Sequence, residues 1–360
     1  MNQQIARVPV ETPVFARPNP ALSIARAAIA TGLTRIDRSM SATEHAQRIW
    51  PFDQTAAILT RAATAPLSLG GTGLYEVATA VLPALVPVSA AAKVFSAGLS
   101  LAWGGAGEII IPNVTPPTGV SAFVGEGLPK PVVMGATTGA TLNPHKIAPI
   151  VVISSELFSQ ASIEVIMQRM LSEIAAVSLD TALFSNAPAD ATRPAGILNG
   201  LTPLTASTNA DLTEAMTADI IALGNSVAPV AGGSNVLFIC SMGQALALQL
   251  RTYGSFGTYG EFNSAVFTSS VIPNGTVIAI AINALVSIFG VPSFETATQA
   301  TLHLEGTTPL QIGTPGSPPT VAAPAQSMFQ TANVAIKLFQ PVTWALRSPQ
   351  AVAVVSNTKW

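Results

Sequence analysis

The chain has 360 residues, 49% of them apolar and only 9% charged, with a net charge of −2 and a mean hydropathy of +0.49. That length excludes a minidomain dependent on staples, and a single cysteine, Cys240, excludes a disulfide framework within the chain. Soluble domains carry about 25% charged residues, so much of this surface must be hidden from water, either by a membrane or by other protein chains.

The membrane reading fails along the chain. Its best candidate, the uncharged run 263–294, contains Pro273, Asn274, Gly275, Asn283 and Pro292, and its centre alternates large and small residues with the period of a strand. Protein contact is the better account of the missing charge.

Residues 1–65 read as an arm with short helices, since Pro9, Pro13, Pro18 and Pro20 crowd its start and its apolar runs are brief. Arg7, Arg17, Arg26, Arg35, Arg38, Arg48 and Arg61 stand against Glu11, Asp37, Glu44 and Asp53, so residues 1–61 are net basic by three and the remainder net acidic by five. Ser41 followed by Glu44 has capping-box spacing and predicts a helix to Ile49; Asp53 caps another through Ala62. A glycine break at 69–73 opens a connection, 66–119, that is apolar and punctuated by prolines before extended structure begins. Within 108–153, two β-rich limbs flank a small-residue tip, MGATTGA, and describe a long hairpin, centred on 120–150, with little to pack against in its own subunit.

The clearest periodicity follows. Ser162 is placed to cap a helix in which Ile163, Ile166, Met167, Met170, Leu171, Ile174, Val177 and Phe184 form one apolar stripe to about residue 186, with Arg169 and Glu173 paired away from it. Residues 201–325 read as an α/β insert: Asp211 or Thr217 opens a helix to Val227, NVLFICS is a buried strand, and Ser241 caps a helix to Leu250. The Pro/Gly/Ser segment 313–324 reads as an exposed connection, and strands over 328–346 and 350–355 close the chain.

Nothing in this order carries catalysis. The three histidines, His45, His145 and His303, are isolated from Cys and from clustered acids, so no zinc spacing and no cofactor is expected. No nucleophile elbow or Walker motif occurs, and Cys240 reads as a buried small hydrophobe. An enzyme is not expected.

The segments SAFVGEGLPKPVV, IAPIVVISSELFSQASIEVIMQRMLSEIAAVSLDTALFSN, RPAGILNG and SMFQTANVAIKLFQPVTWALRSPQAVAVV resemble, in order and spacing, the major capsid proteins of tailed bacteriophages, whose fold is named after phage Hong Kong ninety-seven. The resemblance covers about residues 75–357 and implies an α+β fold of that type. In it, 1–65 would be an N-terminal arm, 66–119 its connection and the first peripheral strands, and 120–150 the extended loop. Residues 151–200 would be the peripheral domain with its spine helix, 201–325 the axial domain, and 326–360 the peripheral C-terminal strands.

By the same resemblance, Glu126, Lys130, Met134, Thr137 and Thr138 would contact a neighbouring subunit, and Ile163, Ile166, Met167, Met170, Leu171 and Ile174 would form the spine core. Arg7, Arg17, Arg26, Arg35 and Arg38 would face packaged DNA. The implied function is a virion shell of pentamers and hexamers around double-stranded DNA, assembled in the host bacterial cytoplasm. Its implied partners are a portal, scaffold or decoration proteins, and no membrane. An encapsulin, which uses the same fold to enclose cargo enzymes, is the alternative. Some members of the family lock their shells with Lys–Asn isopeptide bonds assisted by a buried Glu; here 132–141 holds no Lys, Lys130 lies between two prolines, and the last acid is Glu305.

Overall fold

The computed structural model describes residues 20–62, 85–86, 88–101, 108–112, 139–158, 163–231, 236–252, 265–303, 313–314, 320–321 and 325–360. Its longest strand, β16 (Asn333–Leu346), organises a six-stranded sheet. One edge of β16 pairs antiparallel with β10 (Leu285–Phe289) and then β11 (Ser293–Ala297), the other with β4 (Lys146–Ile147) and β5 (Ile150–Ser154). Short β1 (Leu99–Leu101) extends the sheet in parallel beside β10. The partner edges break two residues apart along β16: 148–149 separate β4 from β5 opposite Leu338 and Phe339, and residues 290–292 separate β10 from β11 opposite Gln340 and Pro341. Pro341, which has no N–H to give, sits at the second break, and Gly290 approaches it so closely that a Cβ would lie 2.7 Å from the proline ring.

Alternate residues Val334, Ile336, Leu338, Gln340, Val342 and Trp344 of β16 are all buried. The 21-residue spine helix α6 (Ile163–Leu183), preceded by a single turn α5 (Ser155–Phe158), shares both hydrophobic cores that this strand enters. Ile163, Met167 and Leu171 join Val334, Ile336 and Leu338 in one core; Leu179 and Leu183 join Val342 and Trp344 in the other. A mostly apolar cavity lies where the cores meet, lined among others by Leu171, Ala175, Leu338 and Gln340. Helix α4 (Ala90–Ala97) seats Phe95 against Phe289 and Trp344, with ring centroids 5.5 and 5.6 Å apart.

A second, five-stranded sheet has the order β6 (Leu204–Thr205), β17 (Val352–Ser356), β9 (Val277–Ala281), β7 (Val236–Cys240) and β8 (Ala265–Thr268). Strands β7 and β9 are buried at every residue, the pattern of strands covered on both faces. Helix α7 (Leu212–Ala231) packs on β9 and β17, while α8 (Met242–Arg251) lies near β8. Asp211 accepts from the N–H groups of Thr213 and Glu214 and Ser241 from Gln244, so both helices begin where capping chemistry places them. The buried strand over NVLFICS is β7, and among the described residues no helix is long and apolar enough to cross a membrane.

The sheets cut the chain differently from the expected boundaries. Strands β10 and β11, expected in the insert 201–325, belong to the six-stranded sheet, while β17, expected among the peripheral strands of 326–360, pairs with β9. The chain crosses between the sheets three times, once from β5 to β6 through α6 and residues 184–203, and twice through a 3-10 turn, Ile282–Ala284 and Pro349–Ala351. Within the expected exposed connection, β13 (Gly313–Thr314) and β14 (Thr320–Val321) form a small hairpin, and β12 (Thr301–His303) pairs with β15 (Ala325–Ser327).

The arm reading also needs correction. Residues 20–62 form a packed helical unit: α1 (Pro20–Ile36), α2 (Ala42–Ile49) and α3 (Gln54–Ala62) contact one another, and α1 contacts α6 and β11. Both anticipated helices are present, and Ser41 with Glu44 makes the full capping box. What the sequence reading missed is α1, whose buried side is mostly small, Ser23, Ala25, Ala27, Ala28, Ala30 and Gly32, with Ile29 the one large residue buried among them. Small side chains let helices approach closely without the large apolar residues that announce a stripe.

Candidate functional site

Strand β2 (Ile109–Pro112) pairs antiparallel with β3 (Gly139–Leu142), Ile109 opposite Leu142 and Pro112 opposite Gly139, which makes a hairpin base; residues 113–138 between them lie outside the described residues. Gly139 and Ala140, expected in the tip, are strand residues; a Cβ on Gly139 would lie 2.6 Å from the Ile111 carbonyl oxygen. The segment IAPIVVIS, expected as the returning limb, is β4 and β5 and pairs with β16 instead. Ile111 and Leu142 pack on Val286 and Ile288 of β10, which beds the base on the six-stranded sheet. The contact residues Glu126, Lys130, Met134, Thr137 and Thr138 lie outside the described residues.

On α6, Ile163, Met167 and Leu171 are buried, Met167 completely. Ile166, Met170 and Ile174 are half-buried, with Met170 and Ile174 flanking the same core. Val177, expected on the stripe, is 54% exposed, because Ala176, Leu179 and Asp180 take the inward positions there. Arg169 and Glu173 pair on the outer face at 2.8 Å.

Of the arm arginines, Arg7 and Arg17 lie outside the described residues. Arg26 is not an outward-facing charge. Its guanidinium donates to Asp53 and to Glu164, each at 3.0 Å, and lies over the Trp50 ring, whose indole N–H also bonds Glu164. Burial alone would depress this guanidinium, but hydrogen bonds and charge from the two carboxylates hold it above its ordinary value. Asp53, itself buried, also accepts from the Ser23 hydroxyl and caps α3 through the Ala56 N–H. This clamp fastens the helical unit to the first turn of α6. Arg35 and Arg38 are exposed, Arg35 with its Nε 3.4 Å from the Thr296 hydroxyl.

Two buried carboxylates escaped the sequence reading. Asp180 of α6 accepts from the hydroxyls of Ser89 and Ser269, each at 2.6 Å, and from the N–H groups of Ala90 and Ala91 at 3.2 and 3.0 Å. Asp219 of α7 accepts from the Ser207 N–H at 2.7 Å and the Trp360 indole N–H at 2.8 Å. The available signal was an acid three residues before Leu183 and four after Ala176, inside an apolar helix face. Cys240 is buried, and burial pushes its thiol up to about 11. His45 is buried with Nε2 3.3 Å from the Asp37 carbonyl, and among the described residues no three His, Cys, Asp or Glu are placed to share a metal.

The site is thus a surface carried on a braced scaffold. Exposed apolar side chains recur on it: Ile110 at the hairpin base, Val165 and Val177 on α6, and Met242, Leu246 and Leu250 one turn apart along α8. The model of the phage capsid family matches residues 76–254, which take in the hairpin base, the spine helix, α7, β7 and α8. A capsid polyprotein of Pseudomonas phage PAJU2 is 28% identical over 261 residues, covering 66% of this chain; the match spans 37% of that polyprotein's length. Among solved structures, a virus-like particle from Pyrococcus furiosus overlaps 79% of this chain and 100% of its own at 11% identity and a TM-score of 0.48. One from Microbacterium phage Oxtober96 overlaps 74% and 90% at 14% and 0.47. Across its hairpin base and spine helix the chain matches the phage capsid family, and over 261 residues it is similar to a phage capsid polyprotein.

Proposed function

We propose that this chain is a major shell subunit of the Hong Kong ninety-seven phage type, assembling with copies of itself as pentamers and hexamers into an icosahedral shell around double-stranded DNA. The observation that carries the reading is the family match, which takes in a hairpin base bedded on the sheet with residues 113–138 running between its limbs. Low charge and exposed apolar residues support it, because a shell subunit hides surface against its neighbours. Each subunit buries several times the roughly 800 Å² per partner of an ordinary interface. The loop residues Glu126, Lys130, Met134, Thr137 and Thr138 reach a neighbour, and the shell takes a portal and scaffold or decoration proteins as further partners. Contact with DNA falls to Arg7, Arg17, Arg35 and Arg38, since Arg26 is bound within the fold.

Expression of the full chain, followed by sedimentation and negative-stain microscopy, tests this. Closed shells of uniform diameter are expected, and monomer alone under all conditions, with and without phage partners, would overturn the reading. Nuclease-protected DNA inside particles recovered from infected cells separates the virion shell from an enzyme-filled compartment.

A further inference from the structure

The five-stranded and six-stranded sheets are joined covalently by α6 with residues 184–203 and by the two 3-10 turns described, which lie side by side because the Arg347 N–H donates to the Ala284 carbonyl at 2.8 Å. Around these crossings one apolar core is continuous from Val277 and Ile280 of β9 to Phe289 and Trp344 of the other sheet. Apolar contact resists separation of the two units but has no directionality, so it leaves their angle weakly determined. Directional bonds must set it.

Asp180 makes them. It is only 5% exposed, and among the described residues no cation pairs with it. Ser269 donates to it from the residue after β8 and is itself fixed to the five-stranded sheet by its N–H on the Cys240 carbonyl at 3.1 Å. From the other side, Ser89 and the first N–H groups of α4 donate to the same carboxylate, and α4 is seated by Phe95 on the six-stranded sheet. A buried acid without a counter-charge is a poor choice if stability alone were served, because an apolar side chain of similar volume fills such a site at less cost.

We propose that Asp180, held between Ser269 and the Ser89 end of α4, is a positioning residue that sets the angle between the two sheet units and, on the shell reading above, the curvature of the assembled particle. Ser269→Ala removes one bond of the latch and leaves the α4 cap intact. Ser23→Ala is its control, since it removes a matching buried hydroxyl–carboxylate bond to Asp53 away from the junction. Both variants should lose a similar few degrees of melting temperature, but only Ser269→Ala should lose the single particle diameter, giving mixed sizes and open sheets by microscopy.

The isolated subunit gives a second readout. Spin labels on Thr205→Cys and Gln330→Cys, one in each unit, should show a broader distance distribution with Ser269→Ala and an unchanged one with Ser23→Ala. Absence of particles from the wild-type chain would sink the shell reading and leave the angle to be judged by these distances. Wild-type distances and diameters in Ser269→Ala, or equal changes in both variants, would overturn the role given to Asp180.

Discussion

Met167 and Met170 are three residues apart on one helix, yet a charge at the two positions has different consequences. Met167 is fully buried between Ile163, Leu171 and Ile336, so Met167→Asp strands an anion among hydrocarbon and should cost about 3–5 kcal/mol in a urea unfolding curve. Met170 is half-buried and can turn an aspartate toward water, so Met170→Asp should cost about 1 kcal/mol. Heptad-like spacing showed that both residues face inward; it could not show which one is seated deepest, because that depends on where β16 crosses. Cys240 offers a second residue-scale test. Its folded thiol titrates near 11, above the 9.0 of a free thiol, so the unfolded chain ionises first and stability should fall as pH rises from about 9 toward 11. Below that window iodoacetamide should label the native protein hardly at all and the urea-unfolded protein completely. Replacing Arg26 by Met would leave Asp53 buried with its cation removed, and the helical unit should loosen from α6 by about 2 kcal/mol, read as faster hydrogen exchange over 20–62.

At the scale of elements, the hairpin base is the place where fold and assembly can be separated. Gly139→Val forces a side chain into the Ile111 carbonyl and should unpair β2 from β3 at about 1–3 kcal/mol, whereas deletion of 134–138 spares every paired residue. The deletion variant should keep the wild-type circular dichroism spectrum and melting temperature and fail to form particles; an equal loss of folding in both would contradict the division. Several elements were legible because local chemistry specifies them: the capping box at Ser41, the caps at Asp53 and Ser241, the uniformly apolar β7, and the spine helix with its period. Those that were not legible owe their place to distant partners. Helix α1 buries mostly small residues around a single Ile29, and β17 differs from a peripheral strand only in pairing with β9, some 75 residues earlier along the chain.

For the whole molecule, on the shell reading, residues 306–360 hold no acid and 132–141 hold no lysine, so an isopeptide cross-link there would have to draw on Lys130, set between two prolines, without a neighbouring base. An unassisted amine with a pKa near 10.4 is almost wholly protonated at neutral pH. Particles boiled in detergent with reductant should release one band at 36.8 kDa, and a ladder of covalent oligomers would show that another residue serves as the base. The long strand β16 has a further consequence, which concerns timing. Every strand of the six-stranded sheet except β1 pairs directly with residues 333–346, and the five-stranded sheet is joined to its edge strand β6 only through 352–356. Until the ribosome has delivered those residues, β4, β5, β10 and β11 have no common partner. Pairings that close so late make folding slow, and on the shell reading proposed above they would also keep nascent chains from joining neighbours on the same messenger before each is a finished subunit.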